Sequence, residues 1–195
     1  MHAHPASGAQ APARFRPAHP HSRLQDDWLY LHAQMPPAKW RALPSFGAAA
    51  AWLGMHDSLR RGQGRLEHLG RAYLNQRLDW PDYRRDMLCE ADLHYSHLRG
   101  HHRNEDTEAF PRMRQQEPRL ARGFDLLEND HQQLEQHLHA VDGWLAGLQG
   151  RAALTPDPAL AEQLHTAVQT AGALLYRHLM DEEDLVIPLL ALHSP

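Results

Sequence analysis

The stretch HHRNEDTEAFP, residues 101–111, decides how this chain is read, because residues 178–188, HLMDEEDLVIP, repeat its pattern. In both, a glutamate follows a histidine by four residues and a proline follows the glutamate by six: His101, Glu105, Pro111 and His178, Glu182, Pro188. An earlier pair of segments also matches, MHDSL (55–59) and DHQQL (130–134), each with a histidine three residues before a leucine. The intervals nearly agree, 45 residues from His56 to His101 and 47 from His131 to His178. One two-helix unit of the form His…His-x-x-x-Glu-x-x-x-x-x-Pro is used twice.

Around these segments apolar residues recur at three- and four-residue steps, and nothing alternates as a strand does. Residues 45–78 carry a Ser45 cap and an apolar stripe of Ala49, Trp52, Leu53, Leu59, Leu66, Leu69 and Tyr73. DWPDY (79–83) opens a second helix with Asp79 as cap and Pro81 in the first turn, and Pro111 should end or kink it. A third helix is expected over 118–148, stopping near Gly150, and a fourth over 157–192 with Pro188 near its end. The fold predicted is all-α, an up-down-up-down four-helix bundle over residues 45–192. Residues 24–44, with Trp28, Leu29, Leu31 and Trp40, read as an N-terminal arm or short helix packed on the outside. Residues 1–23 are rich in His, Pro and Ala and read as a disordered tail, with His2, His4, His19 and His21 solvated.

Composition excludes several functions. The 195 residues carry 20 Lys and Arg against 24 Asp and Glu, with no basic stripe to bind nucleic acid. The longest apolar runs, such as AAAAWLGM (48–55), are far too short to span a membrane. Cys89 is the single cysteine, so thiolate-ligated zinc and iron–sulfur sites are out, and it is expected to pack between helices. No apolar block like a signal peptide's core opens the chain, which makes the cytoplasm the expected location. What stands out is 17 histidines, the commonest protein metal ligand.

Residues four apart lie about one turn apart on one helix face, so His101 with Glu105, and His178 with Glu182, can each converge on an ion. A glutamate inside an apolar stripe is costly unless it is paired or metal-bound. Imidazole and carboxylate without thiolate suit iron, manganese or zinc, and iron is favoured in helix-bundle sites of this kind. His102 and Asp106 form an equally spaced pair, but the position matching His102 in the second copy is Leu179, so the repeat selects His101. His94 and His97 share the His101 face and match Ala171 and Leu174. With His102, they are expected to support the ligands from the edge of the site. Asp57 and Asp130 adjoin His56 and His131 and are candidates to orient an imidazole.

The segments MHDSL, HHRNEDTEAFP, ENDHQQLEQHL and RHLMDEEDLVIP, spread over residues 45–192, resemble the hemerythrin-like, or HHE cation-binding, family. The resemblance implies two non-haem iron ions joined by an oxo or hydroxo group. His56 and His101 would hold one, His131 and His178 the other, and Glu105 and Glu182 would bridge them. Oxygen-carrying members have a fifth histidine four residues after the one matching His131; here that residue is Glu135, a candidate further ligand or hydrogen-bond acceptor. Carriers also place an aspartate five residues after the match to His178, where this chain has Glu183. A five-residue step turns a side chain about 140° away, so Glu182 is the bridging candidate. The expected function is to bind, sense or scavenge O2 or a related small oxidant such as peroxide or nitric oxide. Two alternatives use the same residues: an enzyme decomposing peroxide or reacting with nitric oxide, which an extra carboxylate at Glu135 would favour, and a structural or iron-homeostasis cation binder.

Overall fold

A capped start sets the second long helix: the Asp79 carboxylate accepts the Asp82 backbone N–H at 2.9 Å, and Pro81 sits where no intrahelical donor is needed. A computed structural model describes residues 19–150 and 154–193, and residues 1–18 of the predicted tail lie outside the described residues. The helices are α1 (Ala48–Leu74), α2 (Trp80–Asn104), α3 (Phe110–Gln116), α4 (Ala121–Gln149) and α5 (Pro158–His193), with no strand among the described residues. Two 3-10 segments, Asp26–Ala33 and Pro37–Ala42, form the N-terminal arm. The long helices run up, down, up and down as a bundle in which α5 packs on both α1 and α4.

Several expected boundaries move for local reasons. Ser45 does not cap α1; the helix begins at Ala48 after Gly47 and makes no side-chain cap bond there. It ends at Leu74, where Gln76 takes a left-handed conformation (φ 58°) and Arg77 N–H closes back on the Ala72 carbonyl at 2.8 Å. Pro111 does not end the second helix. A π-turn over Glu105–Ala109 widens the ladder, with Phe110 N–H reaching the Glu105 carbonyl, and α3 continues to Gln116. That extra-wide turn accommodates the ring and the missing N–H of the proline. Cys89 is exposed rather than packed between helices.

Pro188 lies inside α5, so the carbonyl four residues earlier, that of Asp184, loses its helical donor. His32 of the arm supplies one: its Nε2 lies 2.8 Å from the Asp184 carbonyl oxygen. The arm therefore completes α5 as well as covering it. Trp28, Leu29 and Leu31 are buried with Phe110, Phe124, Leu185 and Leu189. The predicted solvated tail is corrected at His19 and Arg23, which buried acids anchor, while His21 is exposed as expected. His19 Nε2 lies 2.8 Å from Asp181 Oδ1, and the Arg23 guanidinium lies 2.7 Å from Asp130.

The core divides into two apolar clusters, one around Leu59, Leu98, Leu134 and Leu175, the other around Ala49, Phe110, Phe124 and Leu185. Between them each long helix crosses one polar level: His56 on α1, His101 and His102 on α2, His131 on α4, and His178 and Glu182 on α5. Farther along α2, His94 is buried against α1, where a Cβ at Gly62 would overlap its ring. It stands apart from the polar level, which removes it from the expected edge of the site.

Replacing His32 with Phe keeps bulk but removes the donor to Asp184, and should lower unfolding free energy by about 1–3 kcal/mol in chemical denaturation. Burial, with smaller contributions from His97 and Arg65, pushes His94 from 6.5 down to about 4. Above pH 6.5 it is neutral in both folded and unfolded chains. Between about 6.5 and 4 only the unfolded chain takes up the proton, so stability should fall with pH across that window. Denaturation of His94→Gln should show a shallower loss over the same range.

Candidate metal centre

Helix geometry explains why α2 contributes two histidines. Relative to His101, His102 is turned about 100° and Glu105 about 40°, so Glu105 projects between the two rings. The structure brings all three to the same polar level. His56, His101, Glu105 and Glu182 form one cluster and His102, Glu105, His131 and His178 a second, each with one donor atom per residue within 4.8 Å of the others. His102 is thus corrected from a supporting residue to a member of the second cluster. Its ring stacks on that of His131 with centroids 4.0 Å apart.

The glutamates span both clusters. Glu105 Oε1 lies 3.0 Å from His101 Nε2 and its Oε2 lies 3.4 Å from His131 Nε2. Glu182 Oε1 lies 3.2 Å from His56 Nε2 and its Oε2 lies 3.2 Å from His178 Nε2. Each carboxylate thus turns one oxygen toward each ligand group, the arrangement of a bridge.

Their hydrogen bonding tests whether a metal pair fits. His56 Nε2, His101 Nε2, His102 Nε2, both Glu105 oxygens and Glu182 Oε2 are buried without a hydrogen-bond partner among the described residues. Buried polar groups are nearly always satisfied, and a row of unsatisfied lone pairs turned inward is the donor set of a metal site. The charges agree. Burial pushes His101 down to about 3 and lowers His178, leaving neutral imidazoles that offer lone pairs. Burial and the adjacent Glu182 push Glu105 well above its ordinary range. Burial also opposes charge on Glu182, yet His56 and His178 hold it well below. A pocket with two carboxylates and too little positive charge is one that divalent cations complete.

Outer partners orient several ligands through their remaining nitrogens. His56 Nδ1 lies 2.9 Å from Glu183 Oε1, which also holds Arg60 at 2.8 Å. His131 Nδ1 lies 2.7 Å from Asp106 Oδ1, so Asp106 serves the site through His131 instead of pairing with His102. Asp130 is buried but grips Arg23 and Arg177, and Asp57 is exposed beside Arg60. His97 sits against the Met55 sulfur at 2.9 Å, away from both clusters. Glu135 joins neither ligand cluster: Arg99 Nε lies 3.1 Å from each of its oxygens and holds it at the rim of the pocket that it lines with His102, Asp106 and His131. The Trp52 indole, unforeseen as a site residue, donates to Glu182 Oε1 at 2.5 Å; its position one turn before His56 was the available signal.

Alanine at His102 should weaken metal retention about 10-fold or more in chelator competition, whereas alanine at Glu135 should leave it unchanged. Alanine at Glu105 should cost metal at both positions, read by metal analysis after gel filtration. No curated protein and no solved structure gives a significant match to the chain. A family model, the hemerythrin HHE cation binding domain, matches residues 48–190. That match covers the four helices that carry the two ligand clusters, and the chain belongs to the hemerythrin HHE cation-binding family.

Proposed function

We propose that this chain holds two non-haem iron ions and binds O2 or a related small oxidant at them, as a sensor, store or scavenger. The observation that carries the reading is the pair of glutamates, each presenting one oxygen to each of two histidine clusters. Such a set holds two cations side by side, and its lack of thiolate and mix of imidazole with carboxylate suit iron. His56, His101, Glu105 and Glu182 would hold one ion; His102, His131 and His178, with Glu105, the other. When bound, iron supplies the redox chemistry.

The chain's own residues provide three further things. Glu183 and Asp106 fix the ring orientation of His56 and His131. Full burial of His56 and Glu182 keeps bulk water from competing for the donors. Five imidazoles against two carboxylates give a histidine-rich set, because His102 supplies the fifth ring that the position of Glu135 lacks. That composition favours oxidant binding over the peroxide-decomposing alternative, whose argument was an added carboxylate at Glu135.

Anaerobic iron loading followed by metal analysis and optical spectra, before and after air, tests the reading. About two irons per chain are expected, with a near-ultraviolet charge-transfer band that appears on exposure to air. Uptake of tightly bound zinc with no iron-dependent colour would instead indicate a structural cation site. Sustained catalytic loss of hydrogen peroxide would favour the enzyme.

A further inference from the structure

The two bridging carboxylates are not equivalent. Neither oxygen of Glu105 has a hydrogen-bond donor among the described residues, whereas Glu182 Oε1 accepts from Trp52 Nε1 at 2.5 Å. Trp52 lies edge-on to two ligand rings, with centroids 6.3 Å from His56 and 6.2 Å from His101. The second half of the internal repeat has no such group. Four residues before His131 stands Leu127, which is fully buried in the apolar cluster. Tryptophan therefore occupies a position where the repeat otherwise places an aliphatic side chain, and it aims its one polar atom at a ligand.

An indole N–H only donates, so Trp52 cannot itself ligate a metal. Two effects remain open to it. It fixes the rotation of the Glu182 carboxylate, and it draws electron density from the oxygen facing the His56 and His101 side. Buried in low dielectric, a donated hydrogen bond of this kind is stronger than it would be in water.

We propose that Trp52 is a positioning residue of the metal centre, holding Glu182 in its bridging orientation and making it the weaker of the two carboxylate donors at the His56/His101 position. The redox part of this inference rests on the proposed iron pair. A donor on a ligating carboxylate reduces the charge that the oxygen passes to the metal and so favours the more reduced ion. Removing the donor should therefore lower the reduction potential.

The test compares full-length wild type, Trp52→Phe and Trp52→Gln. Phenylalanine keeps an aromatic ring without a donor; glutamine keeps an N–H donor with less bulk. For Trp52→Phe, zinc and iron affinity in chelator competition should fall about 10-fold or more, and the midpoint potential of the iron form should move to more negative values. Trp52→Gln should return both quantities toward wild type. Wild-type values for Trp52→Phe would overturn the proposal. Equal losses in the two variants would also overturn it, because packing alone would then account for them. Zinc affinity reads the positioning without any redox chemistry. Wild type that takes zinc but no iron would defeat the oxidant-binding reading while the zinc comparison still decides the role of Trp52.

Discussion

The structure turns on burying Glu105 and Glu182 side by side in the middle of an apolar bundle. Both are fully buried, and burial together with the charge of Glu182 pushes Glu105 far above its ordinary range. A buried carboxylate anion costs several kcal/mol in real proteins, so without positive charge between the pair Glu105 is held toward its neutral form. Protonated histidines do not supply enough of it, since burial holds His101 and His178 toward the neutral form. His56 is driven up, to about 9: burial opposes its charge, but the carboxylates of Glu182 and Glu183 outweigh it. A bound cation would resolve the imbalance, and the residues that could hold one lie in the polar level between the two core clusters.

The fold was legible because helix periodicity and the internal repeat are local signals. His56, His101, Glu105, His131, His178 and Glu182 all reach one level of the bundle, since residues four apart share a face whatever the tertiary detail. What escaped depends on contacts between distant segments. The repeat passes over His102 because its counterpart is Leu179, an inference that assumes two equal halves. In three dimensions Glu105 projects between His101 and His102, so one helix serves both positions. Glu135 had the right spacing on α4, but Arg99 on α2, 36 residues away, takes its carboxylate. No spacing rule could reveal that pairing.

At the end of the N-terminal segment, His19 and Arg23 depart from the sequence reading for a related reason. Its composition is that of a solvated tail, yet His19 and Arg23 meet Asp181 and Asp130, buried acids that adjoin Glu182 and His131 in sequence. Composition describes what a segment lacks for building its own core. It does not show that a neighbouring surface already presents buried anions needing partners. His32 follows the same logic, capping a carbonyl that Pro188 strips of its donor. Both prolines of the repeat thus create a backbone problem. One half solves it with a π-turn beginning at Glu105, the other with a side chain from the arm.

These unlike solutions make the two halves of the centre chemically distinct. On α2 the altered helix geometry begins at a ligand, while on α5 the helix stays regular through Glu182 and the repair lies beyond it. Trp52 adds a donor to Glu182 alone, and His102 adds an imidazole to the second cluster alone. One position therefore has two imidazoles with a carboxylate weakened by a hydrogen bond, and the other has three imidazoles. A duplicated unit would give two equal ligand sets. Each departure from the repeat increases the difference between them, and the surface pocket lined by His102, Asp106, His131 and Glu135 reaches the position with three imidazoles.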